Sequence, residues 1–312
     1  MANADLPLYP TQLPRILSAN GVSVREDVLY TDAKGEADDR SKKRAEEALA
    51  DLRDVLPGLL EPKETVLFVI KSCQAPIGVL EQLFLGWYVY RVTATRLVFT
   101  NLRLLHCGLS ARGKWNRMLK SVRWGDVTLA KVKGWLNRIL VMQYTNGTKE
   151  KYWRLKRKDA QKAKAVVDAV LPLSRGEATS VQGFQSLCPD CRAPLTPGNY
   201  QCAECGLKFK DEKKLLQRTV LIPGGGYLYS GMTFLGVMAF ITEGIFTLGV
   251  IFSLLIALGF VAPGTAEDGR PMQAREYWGA VIALGVLLVL NKALEYLHGR
   301  RAIRSFVPLD RG

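Results

Sequence analysis

Histidine is scarce in this chain, with only His106 and His298 among 312 residues. Neither stands next to a credible nucleophile or metal triad, so no catalytic constellation is legible and the chain reads as non-enzymatic. Cysteine is sparse as well: four of the six fall into two Cys-x-x-Cys pairs, which leaves Cys73 and Cys107 alone in apolar or strand-like sequence. Isolated cysteines of that kind read as small core residues. The N-terminus, Met-Ala-Asn-Ala-Asp-Leu-Pro, lacks a basic start followed by an apolar core, and no cleavable signal peptide is expected.

Acidic residues are in deficit, 29 Asp and Glu against 43 Lys and Arg, a formal +14. The imbalance is local. Residues 111–164 hold sixteen Lys and Arg against three Asp and Glu, so this block is +13. An anionic partner is the natural complement, because each Lys or Arg near an anionic bilayer gains roughly 1 kcal/mol. Arg112, Lys114, Arg117 and Lys120, with Lys149, Lys151, Lys156, Arg157 and Lys158, are the candidates for contact with an anionic surface. A soluble face with no specific ligand is the competing reading. Nucleic acid answers the same charge, with Trp115, Trp124, Trp135 and Trp153 as stacking candidates, but those tryptophans fit core and interface positions better.

Cys188-Pro-Asp-Cys191 and Cys202-Ala-Glu-Cys205 are separated by ten residues. Each turn directs two sulfurs to one point, and a hairpin of this length brings two turns face to face around a tetrahedral metal. Gly206 can adopt the positive φ that lets amides approach the sulfurs, and Pro197-Gly198 reverses the chain between the turns. The stretch resembles a zinc ribbon. Zinc is expected on Cys188, Cys191, Cys202 and Cys205; iron in a rubredoxin-like site is the alternative, since the same ligands serve both. Four protein thiolates leave no open position for catalysis.

Residues 1 to about 37 show no sustained periodicity and suggest a loosely ordered arm, followed by an amphipathic helix from Asp38 to Leu56 closed by Pro57-Gly58. Strands are expected at Thr65–Lys71, Leu83–Arg91, Thr95–Thr100, Leu102–Cys107, Lys120–Trp124, Val127–Val132, Arg138–Tyr144 and Lys149–Leu155, then a helix from Asp159 to about Leu171. Asn146-Gly147 between two of the strands suits a type I′ hairpin turn. Arg96-Leu-Val-Phe-Thr-Asn-Leu-Arg-Leu-Leu-His106, followed by Ser121-Val-Arg-Trp-Gly-Asp-Val127, the hairpin and the helix, resembles the bacterial pleckstrin-homology-like domain. That resemblance covers residues 62–172 and implies a strand barrel with a closing helix that binds rather than catalyses. The phosphoinositide loop of eukaryotic relatives has no counterpart, because residues 72–82 are nearly uncharged.

Ile222-Pro-Gly-Gly-Gly-Tyr-Leu-Tyr-Ser-Gly231 resembles the Pro-Gly-x-Gly-x-x-Tyr-x-Gly lead-in of small two-helix membrane modules. It lacks the Lys-Ser/Thr of a nucleotide-binding loop, and Tyr227 and Tyr229 suit an interfacial turn. Two spans follow, about 244–262 and 276–297. Basic flanks before the first and after the second put both termini in the cytosol of a bacterial-type inner membrane. Glu243 and Lys292 fall at depths that permit an intramembrane ion pair on the cytosolic side.

The whole reads as a multidomain α+β membrane protein. Residues 1–60 are an arm and helix, 61–173 an antiparallel PH-like barrel with a C-terminal helix, 185–210 a small zinc ribbon, and 220–304 a two-helix transmembrane hairpin. The leading functional expectation is a membrane-anchored scaffold that touches anionic lipid headgroups or an acidic protein partner. The rivals are a rubredoxin-like redox protein and a tethered nucleic-acid-binding module.

Overall fold

A computed structural model of the chain describes residues 16–19, 22–53, 55–75, 93–110, 112–135, 138–174, 179–265 and 273–309. The strand expected at Leu83–Arg91 lies outside these residues. Two compact units are present, residues 1–207 with 310–312, and residues 208–309.

The first unit is built on ten strands: β1 (Ile16–Ala19), β2 (Val22–Arg25), β3 (Val66–Gln74), β4 (Ala94–Thr100), β5 (Arg103–Leu109), β6 (Trp115–Arg123), β7 (Val127–Lys133), β8 (Arg138–Tyr144), β9 (Lys149–Leu155) and β10 (Gln185–Leu187). Their order is β10-β6-β5-β4-β3-β9-β8-β7, with β2 joined to β3 by one parallel bridge and β1 antiparallel to β2. The expected barrel is not closed. Its seam between β3 and β9 is the single pair Gln74↔Trp153, and the outer edge of β6 is taken by β10 rather than by β7.

Helices cover both faces of β3–β6. On one side, α4 (Arg157–Val170) turns Ala160, Ala163, Val166, Val167 and Val170 onto Phe68, Phe99, Leu104, Trp124 and Tyr152. On the other side, α2 (Asp39–Ala50), the turn after it and α3 (Leu56–Leu59) pack Ala45, Ala48, Leu52, Leu56 and Leu59 against Val66, Val98, Leu105 and Leu119. Strand β5 is therefore buried along its whole length instead of alternating, as a strand covered on both faces must be. Cys73 and Cys107 are buried in these two cores.

Three features differ from the sequence expectation. The stretch read as a loose arm forms β1, β2 and α1 (Glu26–Leu29), because Val22, Val24, Val28 and Leu29 are buried and Arg25 pairs with Asp27. The single helix to Leu56 breaks after Ala50 and restarts as α3, where Pro57 occupies the first turn, the helical position that tolerates it. The Asn146-Gly147 turn is not type I′. Only Gly147 has positive φ (80°), and its amide donates to the Tyr144 carbonyl, which makes a type I turn with a glycine bulge.

The motif turns of the resemblance are structural. Thr100 Oγ1 donates to Glu64 Oε1 (2.7 Å), and Arg103 grips both Glu64 oxygens (3.0 and 2.9 Å) and the Leu59 carbonyl. Asn101 Oδ1 accepts the Thr65 amide, Trp124 Nε1 donates to the Thr100 carbonyl, and Asp126 accepts the amide and hydroxyl of Thr179. Arg96, 1% exposed, donates to the carbonyls of Lys71 and Ala48 and to Asp51 Oδ2. These bonds fasten α2 and α3 to the sheet.

The second unit holds α5 (Glu212–Leu221), α6 (Gly225–Ser230), α7 (Thr233–Ala257) and α8 (Ala274–Ile303). Its ends are tied by the Phe209↔Pro308 bridge and by the edge-to-face contact of Phe209 with Phe306.

Lys162 on α4 is 2% exposed and donates to the carbonyls of Leu29 and Thr31, with its ammonium over the Phe68 ring. Burial lowers its pKa from 10.5 to about 7, against the opposing pull of Asp32, Asp38, Asp159 and Asp27. Between those two pH values the unfolded chain holds a proton that the folded one has released, so this lysine makes stability rise with pH across that window. Lys162→Met removes the dependence. The thermal midpoint of the native protein should gain on that of the variant as pH is raised from 7 toward 10.5.

Candidate metal centre and a buried carboxylate network

Strand β10 delivers the first cysteine. Its register on β6, Gln185↔Ser121 and Leu187↔Leu119, puts Cys188 directly after a hydrogen-bonded strand end. The two Cys-x-x-Cys turns then repeat one geometry. In the first, the Cys188 amide donates to the Ala193 carbonyl and the Arg192 amide returns to Cys188. In the second, Cys202 donates to Leu207 and Gly206 returns to Cys202. The residue after each pair has positive φ, 66° at Arg192 and 73° at Gly206. Gly206 was foreseeable as such a position; Arg192 adopts the same conformation without being glycine.

The four sulfurs lie within 4.8 Å of one another, with Cys188 Sγ 3.5 Å from Cys205 Sγ and Cys191 Sγ 3.4 Å from Cys202 Sγ. A tetrahedron with metal–sulfur bonds of about 2.3 Å has edges of about 3.8 Å, so the cluster could hold one ion after small adjustments. Amides of Asp190 and Cys191 donate to Cys188, and those of Glu204 and Cys205 to Cys202. Burial raises the Cys202 pKa, but those amides and the neighbouring thiols outweigh it and leave the thiol at about 7. Donors aimed at sulfur favour the thiolate form that binds metal, but at Cys188 burial outweighs them and pushes the thiol up to about 12. Asp190, between the first two ligands, is held by Arg117 (2.6 Å).

The basic candidates are dispersed by the fold. Arg117 is committed to Asp190, and Lys158 to Asp38 (2.9 Å). Lys120 turns inward: burial lowers its pKa, against the pull of Glu150. Beside it His106 Nδ1 is 3.2 Å from Tyr152 Oη, which donates to Glu150. Burial, assisted by Lys120, drives the His106 pKa down to about 3 and keeps the imidazole neutral. Arg112 and Lys114 are exposed on the β5–β6 turn, Lys156 and Arg157 at the start of α4, and Lys149 and Lys151 on β9.

In the second unit, the glycine-rich loop binds carboxylates of its own chain. The Gly224 amide donates to Glu243 Oε2 (3.0 Å), and the amides of Gly226 and Tyr227 to Glu295 Oε1 (2.6 and 3.1 Å). Lys292 Nζ lies 2.7 Å from Glu243 Oε2 and 3.6 Å from Glu295 Oε2, and donates to the Ile222 carbonyl. Asn291 Nδ2 donates to Glu243 Oε1 (2.7 Å). Glu243 and Lys292 are thus in contact, with Glu243 in the interior of α7 rather than at its end. Tyr227 is buried, 2.8 Å from His298 Nδ1, rather than spread at a surface. Sequence reasoning missed Glu295 and His298 as members of this cluster. The available signal was three ionisable or amide residues, Asn291, Lys292 and Glu295, within five residues directly after the apolar run Gly279–Leu290.

α7 and α8, 25 and 30 residues, are long and apolar enough to cross a membrane, over the stretches Thr233–Ala257 and Arg275–Ile303. Helix α7 begins and ends earlier than the stretch 244–262 expected to span.

Comparison with protein-family models, with curated proteins and with solved structures returns no match. What the fold and the sites define is an α+β chain with an antiparallel sheet, a four-cysteine cluster that could hold a metal ion, and two helices able to span a bilayer.

Two measurements test these sites. Cys202→Ser should reduce bound metal from about one ion per chain toward none and lower the thermal midpoint of the first unit, read by elemental analysis and calorimetry. A Cβ on Gly226 would run into Thr219 Oγ1 and the Glu295 side chain, whereas one on Gly244 meets nothing within 4 Å. Gly226→Ala should therefore destabilise the second unit by several kcal/mol, and Gly244→Ala should be neutral or gain up to about 1 kcal/mol from helix propensity.

Proposed function

We propose that this chain is a membrane-anchored binding or scaffold protein without catalytic activity, presenting a pleckstrin-homology-like sheet domain and a zinc-holding turn pair on the cytosolic face. One observation carries the reading. α7 and α8 leave Val237, Phe240, Ile241, Ile245, Leu248, Phe252, Ile282, Val286, Val289 and Leu290 half or more exposed or close to it, and soluble proteins rarely leave an apolar belt of that extent in water. A hydrocarbon layer of about 30 Å accounts for it, since 25 helical residues extend about 38 Å.

The buried network fits the same reading. Glu243 and Lys292 pair with each other and with backbone groups, which offsets the cost of placing them at membrane depth. The basic stretches at residues 208–218 and 298–304 flank the two helices, and 264–276 between them is nearly balanced in charge. The positive-inside rule then assigns both termini to the cytosol. The strands β3–β9 followed by α4 run in the order the pleckstrin-homology-like resemblance implies. Zinc suits the four-thiolate cluster in a reducing cytosol; a visible charge-transfer spectrum with stoichiometric iron would move the site to the redox reading.

Topology is the decisive test. In right-side-out vesicles, Gly264→Cys should react with an impermeant maleimide added outside, and Asn199→Cys should react only after permeabilisation. Release of the protein by alkaline carbonate, or the opposite labelling pattern, overturns the assignment.

A further inference from the structure

Strands β7, β8 and β9 alternate inward and outward apart from one register shift in each strand pair, at Val127/Leu129 and at Arg138/Leu140. Leu140, Met142, Tyr144 and Tyr152 enter the core, while Leu129, Lys131 and Lys133 on β7, Ile139, Val141 and Gln143 on β8, and Lys149, Lys151 and Trp153 on β9 face away from it. The register aligns these outward residues in rows across the sheet: Leu129↔Gln143↔Lys149, Lys131↔Val141↔Lys151, and Lys133↔Ile139. Beyond the end of β7, Trp135 is 84% exposed, and Trp153 is 37% exposed.

None of Lys131, Lys133, Lys149 and Lys151 has an ion-pair or hydrogen-bond partner among the described residues. The only carboxylate on the three strands, Glu150, faces inward and accepts from Tyr152 and Tyr144. The face therefore presents four free lysines, Trp153 and an aliphatic centre, with no acidic residue, and Trp135 is exposed just beyond its end. Protection of a sheet edge accounts for charges on β7, which ends the strand order, and on β9, which meets β3 only at Gln74↔Trp153, but not for the aliphatic and aromatic side chains set among those charges.

We infer that the outer β7–β8–β9 face is a docking surface for an anionic lipid bilayer, with the four lysines at headgroup phosphates and Trp135 and Trp153 at the interface. This inference rests on the membrane-anchored reading above. Lysine beside tryptophan and aliphatic side chains matches the two layers of a bilayer surface, charge outside and apolar depth beneath. A nucleic acid would use the lysines but leave Leu129, Ile139 and Val141 unexplained.

The full chain is reconstituted in nanodiscs of phosphatidylcholine alone or with phosphatidylglycerol, and lysine labelling by an amine-reactive reagent is read by mass spectrometry. Lys131, Lys133, Lys149 and Lys151 should be protected in the anionic discs and released by high salt, while Lys43 and Lys63, exposed elsewhere on the unit, label equally in both. The double variant Lys131→Glu with Lys151→Glu should lower protection at Lys133 and Lys149 about tenfold or more, with Lys43 labelling unchanged as the check on folding. Trp135→Ala should reduce the part of the protection that salt does not remove. Equal labelling in both discs, or protection only by added RNA in neutral discs, overturns the inference. A chain that enters discs but shows no charge dependence sinks this surface alone; a chain that stays soluble without lipid or detergent sinks the membrane reading itself.

Discussion

An ion removed from water costs several kcal/mol unless its charge and its hydrogen-bonding capacity are both met, and the deep ions of this protein are met partly by backbone. Arg96 reaches two carbonyls besides Asp51, and Arg103 a carbonyl besides Glu64. Glu243 and Glu295 take loop amides besides Lys292. Each such ion ties two chain segments far apart in sequence. The positions of α2 and α3 on the sheet, and of the glycine loop on α7 and α8, follow from those ties. Removing one partner from such a cluster leaves a bare buried charge, which is why these residues behave as joints rather than as replaceable surface ions.

The metal cluster meets the same demand with different chemistry. Four thiols in a small loop have little apolar area to bury, and the turn geometry is held by amide donors to sulfur and by the two positive-φ positions, Arg192 and Gly206. Because β10 is paired to β6, the first ligand turn is an extension of the sheet and not a separate bead on a linker. A metal bound there would stiffen the sheet edge as well as the loop that carries it.

Much of this was legible from sequence where the signal is local. Strands β8 and β9 match the expected ranges, α4 and β7 differ by a residue or two, and the four cysteines that the fold brings together stood out by their spacing. The failures are non-local. Pro57 looked like a helix terminator, yet proline is at home in a first turn, so the same residue opened α3. The segment Val22–Leu29 shows no sustained periodicity and takes its structure from distant partners: its apolar side chains are buried, β2 meets β3, and Lys162, far along the chain, donates to the carbonyls of Leu29 and Thr31. His298 looked like part of a basic tail and is buried against Tyr227, because helix α8 continues past the apolar run to Ile303.

The basic block shows the same limit in its clearest form. A sum of +13 over 54 residues says that an anionic partner is plausible but not which lysines meet it. In a strand, neighbouring residues point to opposite faces, so a run such as Lys149-Glu-Lys-Tyr-Trp153 is two surfaces at once: Lys149, Lys151 and Trp153 outward, Glu150 and Tyr152 inward. Reading charge by strand phase removes Lys120 from the candidate surface and adds Lys131 and Lys133, which the count alone had no reason to prefer. Register then does what composition cannot, by placing residues from three strands in one row. A surface of this kind exists only after the strands pair, so its specificity belongs to the fold and not to any single basic segment.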